Sequence, residues 1–176
     1  MLGKTIQEIR VGDFAEFSKT ITEADVVLYA GVTGDLNPAH VDQVWAEGSR
    51  FKGRIAHGML SAGLISAVLG TRLPGPGTIY LSQEIRFLAP VRIGDTLTAR
   101  AEVEELLEAK NRARLRTTCR NQEGQVVVEG TAWVMPPKKP REASGAVRPF
   151  DRLTAPSQIE GQAHGPEQRR RARRKA

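Results

Sequence analysis

The chain has 176 residues, 40% of them hydrophobic and 26% charged, with one cysteine and a net charge of +6. The length predicts a single domain, and the composition an ordinary soluble globular profile. No apolar run reaches the roughly 18 residues that a membrane helix needs, and Met1 to Glu8 turns polar too early for a secretory signal.

The charge is unevenly placed. Residues 138–176 hold 11 basic and 4 acidic side chains, whereas residues 1–137 hold 15 and 16. The basicity therefore belongs to the tail, which removes the argument for a nucleic-acid-binding domain and leaves open an anionic partner for the tail. Lone Cys119 cannot form an internal disulfide and suits a reducing, cytoplasmic compartment. It lies in an alternating segment and reads as packing filler.

In chain order, Phe14 to Thr20 alternates and predicts a strand. Thr22 can cap a helix, with Asp25 answering three residues on, and Gly31 or Gly34 can end it. A short polar helix is expected around Val41 to Glu47. From His57 to Leu69 the chain is apolar nearly all round, which predicts a helix buried on most sides. Pro74 to Gly77 is a turn. Four strands follow, over 78–87, 95–107, 112–120 and 125–134, the last two joined as a hairpin through Asn121 to Gly124. Pro136, Pro137 and Pro140 end the last strand. The expected domain is 1–137, with 138–176 a disordered tail closed by the basic run Arg169 to Lys175. The fold class is α+β, an antiparallel sheet against one long helix.

Two segments carry chemistry. Gly34-Asp35-Leu36-Asn37-Pro38-Ala39-His40 places Asp, Asn and His within six residues of a loop stiffened by Pro38. A stiff loop holds reacting groups at small entropic cost. His40 can exchange a proton near neutral pH, whereas Asp35 needs desolvation beside an apolar helix to become a useful base. In Ile55-Ala56-His57-Gly58-Met59, Gly58 begins the buried helix. A first-turn N–H lacks a helical partner and can stabilise an enolate oxygen on a thioester. The bland reading of Asp35 and Asn37 is a turn whose side chains cap backbone groups.

These segments resemble the MaoC-like (R)-specific enoyl-CoA hydratase family. Leu73 to Tyr80 and Phe87 to Asp95 are similar to its later segments, and the likeness runs from about residue 10 to 136. The resemblance implies a homodimer of hot-dog subunits, each a curled antiparallel sheet wrapped around one long helix. It implies syn addition of water to a trans-2-enoyl-CoA to give an (R)-3-hydroxyacyl-CoA. It assigns proton transfer to Asp35 and His40, their geometry to Asn37, the thioester oxygen to the Gly58 N–H and the acyl pocket to Ser66. It implies no metal and no redox cofactor; the coenzyme A arrives on the substrate.

Other roles stay open. His57 is a candidate for substrate binding or a buried histidine with satisfied nitrogens. Arg54 and Lys52 can meet CoA phosphates or stand as exposed charges. Asp35, His40 and His57 could together bind a metal, although their spacing matches no known ligand pattern. The alternatives in function are a hot-dog acyl-CoA thioesterase, a non-catalytic acyl-CoA-binding subunit, and a dehydratase of carrier-protein thioesters.

Overall fold

The computed structural model describes residues 2–139. The tail beyond Lys139, with the run Arg169 to Lys175, lies outside the described residues.

Strand β1 (Phe14–Thr20) leads into helix α1 (Glu23–Thr33). The start of α1 is the expected capping box: Thr22 Oγ1 accepts from Asp25 N–H while the Asp25 carboxylate accepts from Thr22 N–H. Gly34 ends the helix in the left-handed region at φ 76°, where a side chain would be strained. The polar helix expected around Val41 to Glu47 is α3 (Gln43–Gly48), and a further short helix, α2 (Pro38–Val41), precedes it. Asp42 lies between the two, and its carboxylate accepts from Trp45 N–H and caps α3. Helix α4 (Gly58–Thr71) follows, then β2 (Ile79–Phe87), β3 (Thr96–Leu107), β4 (Arg112–Arg120) and β5 (Val126–Met135).

All five strands pair antiparallel in the order β1-β3-β4-β5-β2, so β1 and β2 are edges. Strand β4, and β3 as far as Val103, alternate buried residues with partly buried or exposed ones, as a sheet with one covered face must. Their buried set (Leu97, Ala99, Ala101, Val103, Ala113, Leu115) meets Leu64, Ile65, Val68 and Leu69 of α4 in the core. The small Ala residues let the helix lie close to the sheet. This is the hot-dog arrangement, with α4 packed against all five strands. The helix is not covered on every side, because Gly63, Ser66 and Gly70 form an exposed stripe. Cys119 is fully buried, and burial pushes its thiol up to about 12, so it packs as a neutral group.

Between β5 and β2 the packing leaves no room at Gly130. A Cβ there would collide with the Glu84 carbonyl oxygen and come within 2.9 Å of the Gln83 amide nitrogen. That amide donates to Thr117 Oγ1 at 3.0 Å and cannot retreat without losing the bond. Gly130→Ala is expected to destabilise the fold by about 2 kcal/mol or more, as overpacking does. The measurement is chemical denaturation, with a lowered midpoint and an unchanged m-value.

Candidate active site

Helix α1 ends at Gly34 and hands the chain to a loop that its own polar groups hold. The Asp35 carboxylate Oδ1 accepts from Asn37 N–H at 3.2 Å, and Asn37 Oδ1 accepts from Ala39 N–H at 3.1 Å. Asn37 is thereby the N-cap of α2, with Pro38 at its first position, where the missing N–H costs nothing. His40 sits on that short helix. The capping reading of the Asp and Asn side chains is thus realised, and it fixes the groups that the catalytic reading uses.

His40 Nδ1 lies 2.8 Å from the Ile55 carbonyl oxygen. A carbonyl only accepts, so Nδ1 carries the proton and Nε2 of the neutral ring keeps its lone pair. His57 obeys the same logic: its Nε2 donates to the Asp35 carbonyl at 3.0 Å. The His57 ring is 1% exposed. It lies tilted against its neighbours, with its centroid 3.9 Å from the His40 ring and 4.8 Å from the Tyr29 ring. Only one of its nitrogens is satisfied, since Nδ1 is buried with no partner among the described residues.

A carboxylate oxygen of Asp35 and a ring nitrogen from each of His40 and His57 lie within 4.8 Å of one another. A water held at about 2.8 Å by each of two groups can bridge a gap of that size. The same three residues are the set that could offer ligands to a metal, but His40 Nδ1 and His57 Nε2 are already committed to carbonyls. Asp35 is exposed, so the described chain does not give it the burial beside α4 that the sequence suggested.

The cleft has a volume of about 440 Å³ and runs from these groups to the start of α4. Gly58 opens that helix, so its N–H has no partner within it. A Cβ at Gly58 would come 2.8 Å from the Phe87 ring, which covers the helix end. A side chain at this position would have to push that aromatic wall aside.

Asp35, His40, His57 and Gly58 line one cleft, and Asn37 underpins it. Two expected residues stand elsewhere. Ser66 is exposed on α4 and outside the cleft lining. Arg54 holds Glu23 through both guanidinium nitrogens, at 2.8 and 2.6 Å, and that ion pair keeps the Glu23 carboxyl below its usual range. The cation in the cleft wall is Arg50, stacked 4.7 Å over Phe51. Ser61 also lines the cleft, buried and with its hydroxyl unpartnered among the described residues. Ser61 lies one helical turn from His57, a spacing that puts the two on one face. Tyr29 and Phe87 had no such signal.

The fold is that of a hot-dog protein, and its cleft gathers a carboxylate, two imidazoles and the start of α4. The family described as "MaoC like domain" matches residues 10–125, and the chain belongs to that family. It is 55% identical over 133 residues to an (R)-specific enoyl-CoA hydratase of Rhodospirillum rubrum, covering 76% of this chain and 92% of the relative. It is 50% identical to a 3-hydroxybutyryl-CoA dehydratase of Methylorubrum extorquens, covering 76% and 84%. Among solved structures, the unliganded R-hydratase PhaJ1 of Pseudomonas aeruginosa superposes with a TM-score of 0.74 at 50% identity, covering 78% and 88%.

The cap at Asn37 gives a direct test of how the loop is held. Asn37→Ala is expected to lower stability by about 1 kcal/mol, and Asn37→Asp by much less, because Asp also caps. Urea denaturation of the two variants checks it.

Proposed function

We propose that the chain is an (R)-specific enoyl-CoA hydratase that uses Asp35 and His40 as its acid–base pair. The observation that carries this reading is their placement. A carboxylate and an imidazole reach one water-sized gap at the mouth of a cleft headed by the first-turn N–H groups of α4.

In this reading the thioester oxygen accepts from the Gly58 N–H, where the positive end of α4 favours the charge that develops. The water bound by Asp35 and His40 attacks the β-carbon through its oxygen. One of its protons passes to the Asp35–His40 pair, and the pair returns one proton to the α-carbon. The pair ends unchanged, and one water has been added across the double bond. Both additions come from the side of the pair, which makes the addition syn. With Nδ1 anchored to Ile55, Nε2 is the His40 atom that exchanges the proton. The steps are proton transfers and one C–O bond, so the reading calls on no cofactor beyond the CoA of the substrate.

We read the working unit as a homodimer. Strand β2 is an edge nine residues long on which Ile79, Leu81 and Phe87 are 56, 39 and 51% exposed. An uncovered apolar edge of this length is a site for pairing with another chain. A second copy would also limit water around the exposed Asp35. No described helix is long and apolar enough to cross a membrane, and the buried free thiol of Cys119 supports a reducing, cytoplasmic setting. The basic tail supports an anionic partner such as an acidic carrier protein, and the carrier-thioester variant would lose rate on removal of 138–176.

Two measurements check these readings. The enoyl-thioester absorbance of crotonyl-CoA should fall with the wild-type protein, with no thiol released. Asp35→Asn and His40→Gln should each lower kcat by about 10² or more; free thiol would instead indicate a thioesterase. Sedimentation should give twice the chain mass, and Leu81→Asp in the edge strand should shift it towards the monomer. A wild-type monomer that is fully active would overturn the dimer.

A further inference from the structure

The segment Ser49 to Ala56 carries the Ile55 carbonyl that fixes His40, yet it is itself neither helix nor strand. Its backbone is unusual, with φ 57° at Lys52 and 142° at Gly53. Irregular backbone of this kind persists only where its surroundings determine it.

Helices α3 and α2 hold part of the segment, since the Ala46 carbonyl accepts from Gly53 N–H at 3.0 Å and the Ala39 carbonyl from Ile55 N–H at 3.1 Å, and one side chain gathers its carbonyls. The Arg92 guanidinium reaches across from the turn before β3 and donates to three carbonyls of the segment. Nη1 donates to Gly53 at 3.0 Å and to Arg54 at 3.4 Å, and Nη2 donates to Phe51. The main chain of Arg92 completes the grip. Ile55 and Arg92 form an isolated antiparallel bridge, and Ala56 N–H donates to the Val91 carbonyl at 2.8 Å. Arg92 is itself pinned, since its N–H donates to the Asp95 carboxylate at 2.7 Å. Its guanidinium makes no ion pair among the described residues and spends its donors on carbonyls.

From this geometry we infer that Arg92 is a positioning residue for the reaction: by gathering the Phe51, Gly53 and Arg54 carbonyls it sets the Ile55 carbonyl where His40 Nδ1–H must donate, and so keeps His40 in the tautomer that presents Nε2 to the cleft. A planar fork with five donors can hold three carbonyls at once. A lysine carries the same charge without the fork. The inference builds on the hydratase reading only for its effect on rate, since the tautomer is a property of the free protein.

The test is Arg92→Lys and Arg92→Gln, with the chain otherwise intact. Proton–nitrogen correlation spectra of the histidine rings report the tautomer of His40, one of only three histidines in the chain. The wild type should show a single Nδ1–H form. Both variants should show a mixture, with kcat lowered about tenfold or more and KM within about threefold, as misplacement of a reacting group requires. Folded variants with an unchanged His40 spectrum would overturn the assignment. So would a rise in KM alone, which would make Arg92 a substrate contact, or a failure of both variants to fold, which would make it a determinant of the fold at large. An inactive wild type would remove the hydratase reading and leave the tautomer comparison to decide this one.

Discussion

One buried N–H ties the two halves of this protein together. His57 belongs to the start of the core helix, and it donates to the carbonyl of Asp35 in the loop that follows α1. A buried donor without a partner costs a free energy comparable to a whole hydrogen bond, so the loop is held where that carbonyl can accept. Asp35, the His40 ring beside His57 and the first-turn N–H of Gly58 then fall into one place. The sheet supplies the rigid floor, because α4 fills it with side chains that have no other way to leave water.

The polar groups of the site are oriented by main-chain carbonyls rather than by opposite charges. Ile55 sets His40, Asp35 sets His57, and three further carbonyls take up Arg92. The ion pairs of the described chain lie elsewhere, as in Arg100 with Glu16 and Glu102 on the sheet surface. Pairs so exposed to solvent are worth little, and salt screens them. A carbonyl is a fixed dipole that neither titrates nor screens away, which makes it a steadier reference for a histidine tautomer than a carboxylate would be.

Much of this was legible in the sequence. The capping box at Thr22, the helix from Gly58 and the strands after Pro76 follow from local rules of capping, turn chemistry and period two. The motif from Asp35 to His40 is contiguous, so its polar groups could be gathered by inspection. What was hidden depends on contacts across the chain. Arg54 was a candidate for phosphate binding until folding placed Glu23, 31 residues earlier, against it. Ser66 and Ser61 sit on the same apolar helix, and only the packing decides that Ser61 turns inward while Ser66 stays exposed. The order β1-β3-β4-β5-β2 likewise has no local signature, since any two of these alternating strands could pair.

The Phe87 ring covers the end of α4, and Phe87 is also the last residue of the exposed edge strand β2. The wall of the cleft and the rim of the sheet are therefore one piece of chain. Whatever comes to lie along that edge also touches the lining of the site. In a symmetric pair each protomer would brace the other's substrate wall. Drift at the contact surface would then register as a change in which acyl groups fit, and selection on substrate choice would constrain how the subunits meet.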